Sequence, residues 1–307
     1  MCLTTENQPC KSTSDAKETF KRLLILHKGD AKHPEVNEAL DNLIQLAAKE
    51  RASGDSDDDT WSPAHDMNIN KGHWRSITTP PFRGKLDDET DGKTRFTLGR
   101  MSFGMFKPTT AVCAVDDIVN IVEDVVANNS ENEKGEETPN NKKDEAVLWT
   151  QTYTIDVFME IETQQSESGE KQKLPARLTN YGVCFPTSPT RLGVKFTQGT
   201  LKPNFELSDS TNATLTASWK HVFHNAIAKE AEAKSYLGQL GTWAMHLMMS
   251  AMMGLEPPTD SVDYTQTYKI GRPYVGHLDI VYLDDNFRVT RGNKGTIVVV
   301  ERLTEKE

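Results

Sequence analysis

No stretch of the chain approaches the ~20 consecutive apolar residues that a membrane-crossing helix needs, so no transmembrane helix is expected. Cysteine is scarce. Cys2, Cys10, Cys113 and Cys184 form no Cys-x-x-Cys pair and stand near no histidine at zinc spacing, so free thiols in a reducing compartment are expected. Positive charge is in deficit: 35 Lys and Arg against 45 Asp and Glu leave a net charge of -10, which repels phosphate backbones and excludes a nucleic-acid partner. The same charge repels anionic lipid headgroups, so any membrane attachment must be apolar or very local. The chain has no Gly-x-Ser-x-Gly, no phosphate-binding P-loop and no dinucleotide fingerprint. The N-terminus lacks the apolar run of a signal peptide, and Glu6, Asp15 and Glu18 precede its first arginine, Arg22, which suits a transit peptide poorly. At 36% hydrophobic the chain can fill one core, thinly spread among long polar insertions.

What is present begins with two helical patterns after a flexible stretch, 1–15. In 16–28, Phe20, Leu23, Leu24 and His27 recur at helical spacing and Gly29 stands where a left-handed C-cap is wanted. A second helix opens on Pro34, carries Val36, Leu40, Leu43, Ile44 and Ala47 on one face, and ends near residue 53. From about residue 70 the texture turns to strands: GHWRSITT, RFTLGRMSFGMF, AVCAVDDIVNIVEDVV, AVLWTQTYTIDVFMEIET, ARLTNYGVCF and RLGVKFTQGTL. The polar run 128–145 cannot bury enough surface to order itself and is expected to be a disordered insertion. A helical insertion, 219–255, ends in the Met-rich WAMHLMMSAMM, expected to pack on the strands or to cover their mouth. The chain closes on HLDIVYLDD, FRVTRG and TIVVVERL, joined by Asp-Asn and Gly-Asn-Lys-Gly turns, an antiparallel meander. The expected fold is mainly β (α+β): an antiparallel barrel over 70–303, preceded by a helical segment, 16–54. An eight-stranded barrel encloses either packed side chains or one small ligand.

The closing segment resembles the end of the plastid lipid-associated protein/fibrillin (PAP/fibrillin) family. Leu278, Asp279, Tyr282, Leu283, Asp284, Arg288, Arg291, Gly292, Gly295 and Val298 to Val300 carry the resemblance. More loosely similar are Gly72-His73-Trp74 after the two helices, LGRMSFGMFKP (98–108), LTNYGVCFP (178–186) and VKFTQGTLKP (194–203). The resemblance implies a lipocalin-like barrel and a plastid location, with a cytoplasmic one as the alternative. It implies non-enzymatic binding or organisation of an isoprenoid or other lipid at lipid globules or thylakoids. The implied partners are an apolar small molecule or lipid and a lipid-globule or peripheral membrane surface. No cofactor, metal or catalytic residue is implied, and the oligomeric state is left open.

The candidate ligand-binding residues are Tyr282, Arg288, Arg291, Phe103, Tyr153 and Phe196: aromatics to line an apolar cup, with Tyr282 and the arginines to orient a polar head. The competing reading makes Arg288 or Arg291 a structural clamp on Asp279, Asp284 or Asp285, since the guanidinium fork matches a carboxylate. If Phe287 and Val289 point inward, Arg291 shares their face and becomes an inward charge that needs a partner. Trp74 is expected to close the barrel floor. His221, His224 and His246 lack an acidic or Cys partner at diagnostic spacing, so no metal site is expected. An enzyme acting on an isoprenoid or fatty-acid derivative is the rival reading, with Asp279 and Glu160 as the carboxylates to inspect. An interaction scaffold with a filled barrel is the third.

Overall fold

The computed structural model describes residues 12–53, 61–86, 91–125, 151–162, 172–229, 254–256, 259–261 and 263–304. The insertion expected at 128–145 and the Met-rich segment at 243–253 lie outside the described residues. Helix α1 spans Thr13–Leu26, starting earlier than its apolar periodicity suggested because the Ser12 side chain accepts from the Asp15 backbone N–H at 3.2 Å and caps it. Gly29 takes a φ of +79° and donates its N–H to the Leu24 carbonyl at 2.7 Å, ending the helix as its position predicted. A Cβ on Gly29 would meet the Thr79 backbone nitrogen at 2.6 Å, so this position also permits the close approach that ties the end of α1 to the chain after the first strand. Helix α2 spans Pro34–Ala52 with Pro34 in its first turn. A short α3, Met67–Asn70, is capped by Asp66.

The strands are β1 (Gly72–Ser76), β2 (Thr94–Thr97), β3 (Val112–Asp124), β4 (Gln151–Glu162), β5 (Lys173–Ser188) and β6 (Arg191–Pro203). Helix α4 (Leu98–Met101) follows β2, and α5 (Ala213–Phe223) follows β6. The chain ends with β7 (Thr259–Asp260), β8 (Gln266–Lys269), β9 (Val275–Leu283), β10 (Phe287–Gly292) and β11 (Ile297–Arg302). The run RFTLGRMSFGMF (95–106), expected as strand, is strand only to Thr97 and then forms α4 and a tight loop. The Ser102 hydroxyl donates to the Leu98 carbonyl and accepts from the Phe106 N–H, which coils the chain back on itself.

The pairing is antiparallel throughout and closes on itself. In the order β5-β4-β3-β1-β11-β10-β9-β6, each strand bonds the next, and β6 bonds back to β5. Eight strands therefore make a ring, with β2 paired to β3 and β8 and β7 continuing the sheet beside β6. The final meander appears as expected, β9 on β10 on β11.

Strand alternation divides the residues into three clusters. Inside the ring, Trp74, Val122, Tyr153, Cys184, Leu192, Val194, Ile280 and Val300 pack together. Outside it, Tyr282, Phe287, Val289 and Val299 face α1 and α2 and meet Phe20, Leu24, Val36, Leu40 and Leu43. A third cluster joins the far ends of β3 to β6 to β2, α4, α5 and β8, around Phe96, Phe106, Trp219 and Phe223. Helices α1 and α2 are thus held by apolar contact with β9–β11. Phe20 is fully buried and meets the Phe287 ring edge-on at 6.1 Å. Phe20→Ala is expected to cost about 3–5 kcal/mol in denaturant unfolding. A loss below about 1 kcal/mol would show that α1 does not dock as described.

Candidate functional site

One end of the ring is closed. Residues 61–71 cross it: the Ala64 N–H donates to the Pro189 carbonyl, the Gln151 side-chain amide to the Met67 carbonyl, and the Trp74 indole N–H to the Asn70 carbonyl at 2.9 Å. Arg302 donates to the carbonyls of Ile69, Lys71 and Asp285 across the same end. Trp74, fully buried, forms the inner floor, the role its position in the first strand suggested.

Above that floor lies Arg288. It is 2% exposed, and its guanidinium carbon sits 4.7 Å from the centre of the Trp74 ring. Its Nη2 donates to the Asn120 side-chain oxygen; Nε and Nη1 are buried with no hydrogen-bond partner among the described residues. Burial lowers its pKa from the ordinary arginine value, and the nearby Arg302 adds to that. Tyr153 and Phe196 face the same interior, their rings edge-on at 6.1 Å. Burial raises the Tyr153 hydroxyl pKa, against an opposing pull from Arg288, and pushes the Cys184 thiol up to about 12. Three of the six candidate residues, Arg288, Tyr153 and Phe196, therefore meet inside the ring.

The other three do not. Tyr282 faces outward, because β9 carries a bulge where it pairs with β10: Thr290 stands opposite Ile280 but Val289 stands opposite Tyr282. The extra residue turns Tyr282 from the inner face to the helix side, where its hydroxyl donates to Asp284 at 2.9 Å. Arg291 is exposed, opposite Asp279 on the outer face. It shares a face with Phe287 and Val289 as expected, but that face looks to α1, α2 and solvent; the inward charge is Arg288. Phe103 is 66% exposed with φ +53°, expelled by the loop that buries Met101, Met105 and Phe106.

The arginine clamp also needs correcting. Asp279 is held by Arg191, whose Nε and Nη2 reach its two oxygens at 2.5 and 3.1 Å. These bonds hold the Asp279 carboxyl below its usual range against partial burial. Asp284 accepts from Lys17 at 2.9 Å, from Tyr282 and from the Asn286 N–H, tying the β9–β10 turn to α1. Burial favours a raised Asp284 pKa, but those donors outweigh it and the carboxyl stays low. Glu160, bridged by Lys93 and Lys173, is likewise lowered despite burial. Neither Asp279 nor Glu160 thus has the raised pKa a general acid at neutral pH would need.

Of the histidines singled out for metal, His221 lies on α5, His224 just after it, and His246 outside the described residues. A different group, His27, His33 and Glu35, comes together in the turn between α1 and α2, although the sequence scattered its histidines. Its two imidazoles stack at 3.4 Å and 15°. An ion between them would lie out of both ring planes, away from the in-plane lone pairs.

Beside β3, between the end of β1 and the start of β2, a polar cleft of about 240 Å³ opens, lined by Ser76, Thr78, Lys93, Asp116, Asp117 and Ile118.

The described residues thus form a closed ring of antiparallel strands with outer helices and an apolar interior around Arg288. The family model PAP_fibrillin matches residues 178–301, from within β5 to β11, so this stretch of the chain is similar to the PAP/fibrillin family. No curated protein and no solved structure matched.

Two outcomes follow. Among the described residues Arg288 is a buried cation with no carboxylate partner, so Arg288→Met is expected to leave the melting midpoint unchanged or raise it; a loss above about 3 kcal/mol would give Arg288 a structural role instead. Asp279, Asp284 and Glu160 have folded pKa values below their unfolded ones, so the stability they contribute is present above roughly pH 4 and lost as pH falls through the folded values. The melting midpoint should hold from about pH 7 to 5 and fall below about pH 4. A midpoint that rises on acidification would contradict these pairings.

Proposed function

We propose that the chain is a non-enzymatic, plastid lipid-associated protein whose strand ring works as a lipocalin-like barrel and holds an apolar ligand. The observation that carries this reading is where the family match falls. Residues 178–301 include most of β5 and β11 and all of β6, β9 and β10, so the family-like part of the chain supplies five of the eight strands of the ring wall. The interior supports it: apolar side chains with a few placed polar groups are what a small-molecule site requires. Isoprenoids and fatty-acid derivatives are the ligand class, and a lipid-globule or thylakoid surface is the partner. The displacement of Tyr282, Arg291 and Phe103 from the interior narrows the proposed binding residues to Arg288, Tyr153 and Phe196.

One observation favours a second reading. The inner residues from Trp74 to Val300 pack into a single cluster, which suits a barrel filled by its own side chains and acting as a scaffold. Titration of delipidated protein with quinones, carotenoids and fatty acids separates the two, with Trp74 fluorescence as the reporter. Binding tighter than about 100 μM, roughly -5.5 kcal/mol, is expected of at least one ligand. If every ligand binds more weakly, the scaffold reading replaces the binding one.

A further inference from the structure

Among the described residues, Arg288 is a buried group on the inner wall whose hydrogen bonding is incomplete. A guanidinium carries five N–H donors in a fixed fork and no acceptor. Here it is buried among Trp74, Asn120, Tyr153 and Cys184, and its hydrogen-bond acceptor is the neutral oxygen of Asn120. Asn120 is itself oriented, since its amide donates to the Thr154 carbonyl at 3.0 Å and so turns its oxygen toward Arg288. Three carboxylates around this end of the ring are engaged elsewhere: Asp124 with Lys71, Asp279 with Arg191, Asp284 with Lys17. The second cation at the floor, Arg302, lies 4.1 Å from the same Trp74 ring and adds to the positive field. A buried cation in this setting is costly unless an anion completes it.

The wall above Arg288 is apolar. Phe196, Val194, Leu278 and Ile280 face the interior from β6 and β9. Toward the end opposite the floor, Gly276 pairs with Val194 and shares its inward face. A Cβ built on Gly276 would meet nothing closer than the Val194 carbonyl oxygen at 3.8 Å, so the wall leaves room there. The closed end therefore holds the charge, and Gly276 leaves a gap in the apolar wall farther along β9.

We infer that the ring's ligand is an amphiphile with a carboxylate head and a long apolar tail, the head seated on Arg288 and the tail running past Phe196 toward Gly276. This rests on the apolar-ligand reading above and names the ligand's class. The fork geometry of arginine matches a planar carboxylate, and the Nε and Nη1 donors left open by Asn120 are the groups that head would engage.

The test uses the full, delipidated chain and cis-parinaric acid, its methyl ester and butyrate. The acid is expected to bind at least tenfold more tightly than the ester, and butyrate at the same concentration should not displace it. Arg288→Met should erase the acid's advantage while leaving ester affinity within about twofold. Gly276→Val should weaken acid and ester alike. Equal affinity of acid and ester for the unaltered protein would overturn the carboxylate head but leave the apolar-ligand reading standing. Displacement by butyrate would overturn the amphiphile. Binding of neither acid nor ester would overturn both readings. Should Arg288→Met fail to fold, the acid-to-ester ratio of the unaltered protein still decides.

Discussion

Strand β10 has a two-residue period, and two sides of the molecule are built on it. Phe287 and Val289 point to one face, where they anchor α1 and α2; Arg288 and Thr290 point to the other, inside the ring. A register slip of one residue would exchange these sets, placing a charge under the helices and an aromatic against Trp74. The bulge in β9 then gives the neighbouring strand the same division, with Ile280 inward and Tyr282 outward. The helices, the floor and the buried cation all depend on this register.

The register has an energetic consequence. Helix α1 is joined to the wall by apolar packing around Phe20 and by the Lys17–Asp284 pair, which also braces the β9–β10 turn. The turn that fixes the hairpin is therefore the turn that receives α1. On the other edge of β9, Arg191 performs a comparable task between β6 and β9 by gripping Asp279. The carboxylates with the sharpest structural roles are thus spent on the outside, and the inside cation is left with Asn120 and an aromatic face.

Much of this was legible in the sequence, for identifiable reasons. The two helices declared themselves through apolar residues at helical spacing, with Pro34 and Gly29 marking ends that local backbone chemistry decides. The closing meander was legible because Asp-Asn and Gly-Asn-Lys-Gly are turn residues flanked by β-branched strands. Tyr153 and Phe196 lie on the inner face; for β10 alternation alone left two choices, and the packing of Phe287 and Val289 against α1 and α2 is what turns Arg288 inward. Tyr282 was misassigned because the bulge depends on long-range pairing with β10. Phe103 was misassigned because Ser102, which looks like any strand residue in sequence, bonds back to Leu98 and coils the chain. The Asp279 clamp was seen as a type of interaction, but its partner, Arg191, lies 88 residues away and has no local signature. The stacked His27–His33 pair was missed for a similar reason: the turn around Gly29 folds the two rings together.

The central claim is that the ring carries an apolar molecule whose charge is met by Arg288. The most direct measurement is mass spectrometry of the organic extract from protein purified from its native source, with bound material quantified per mole of chain. The account predicts a long-chain carboxylate near one equivalent, and its loss from Arg288→Met protein isolated in the same way. An extract with no apolar molecule approaching stoichiometry, from protein that is folded and intact, would contradict it.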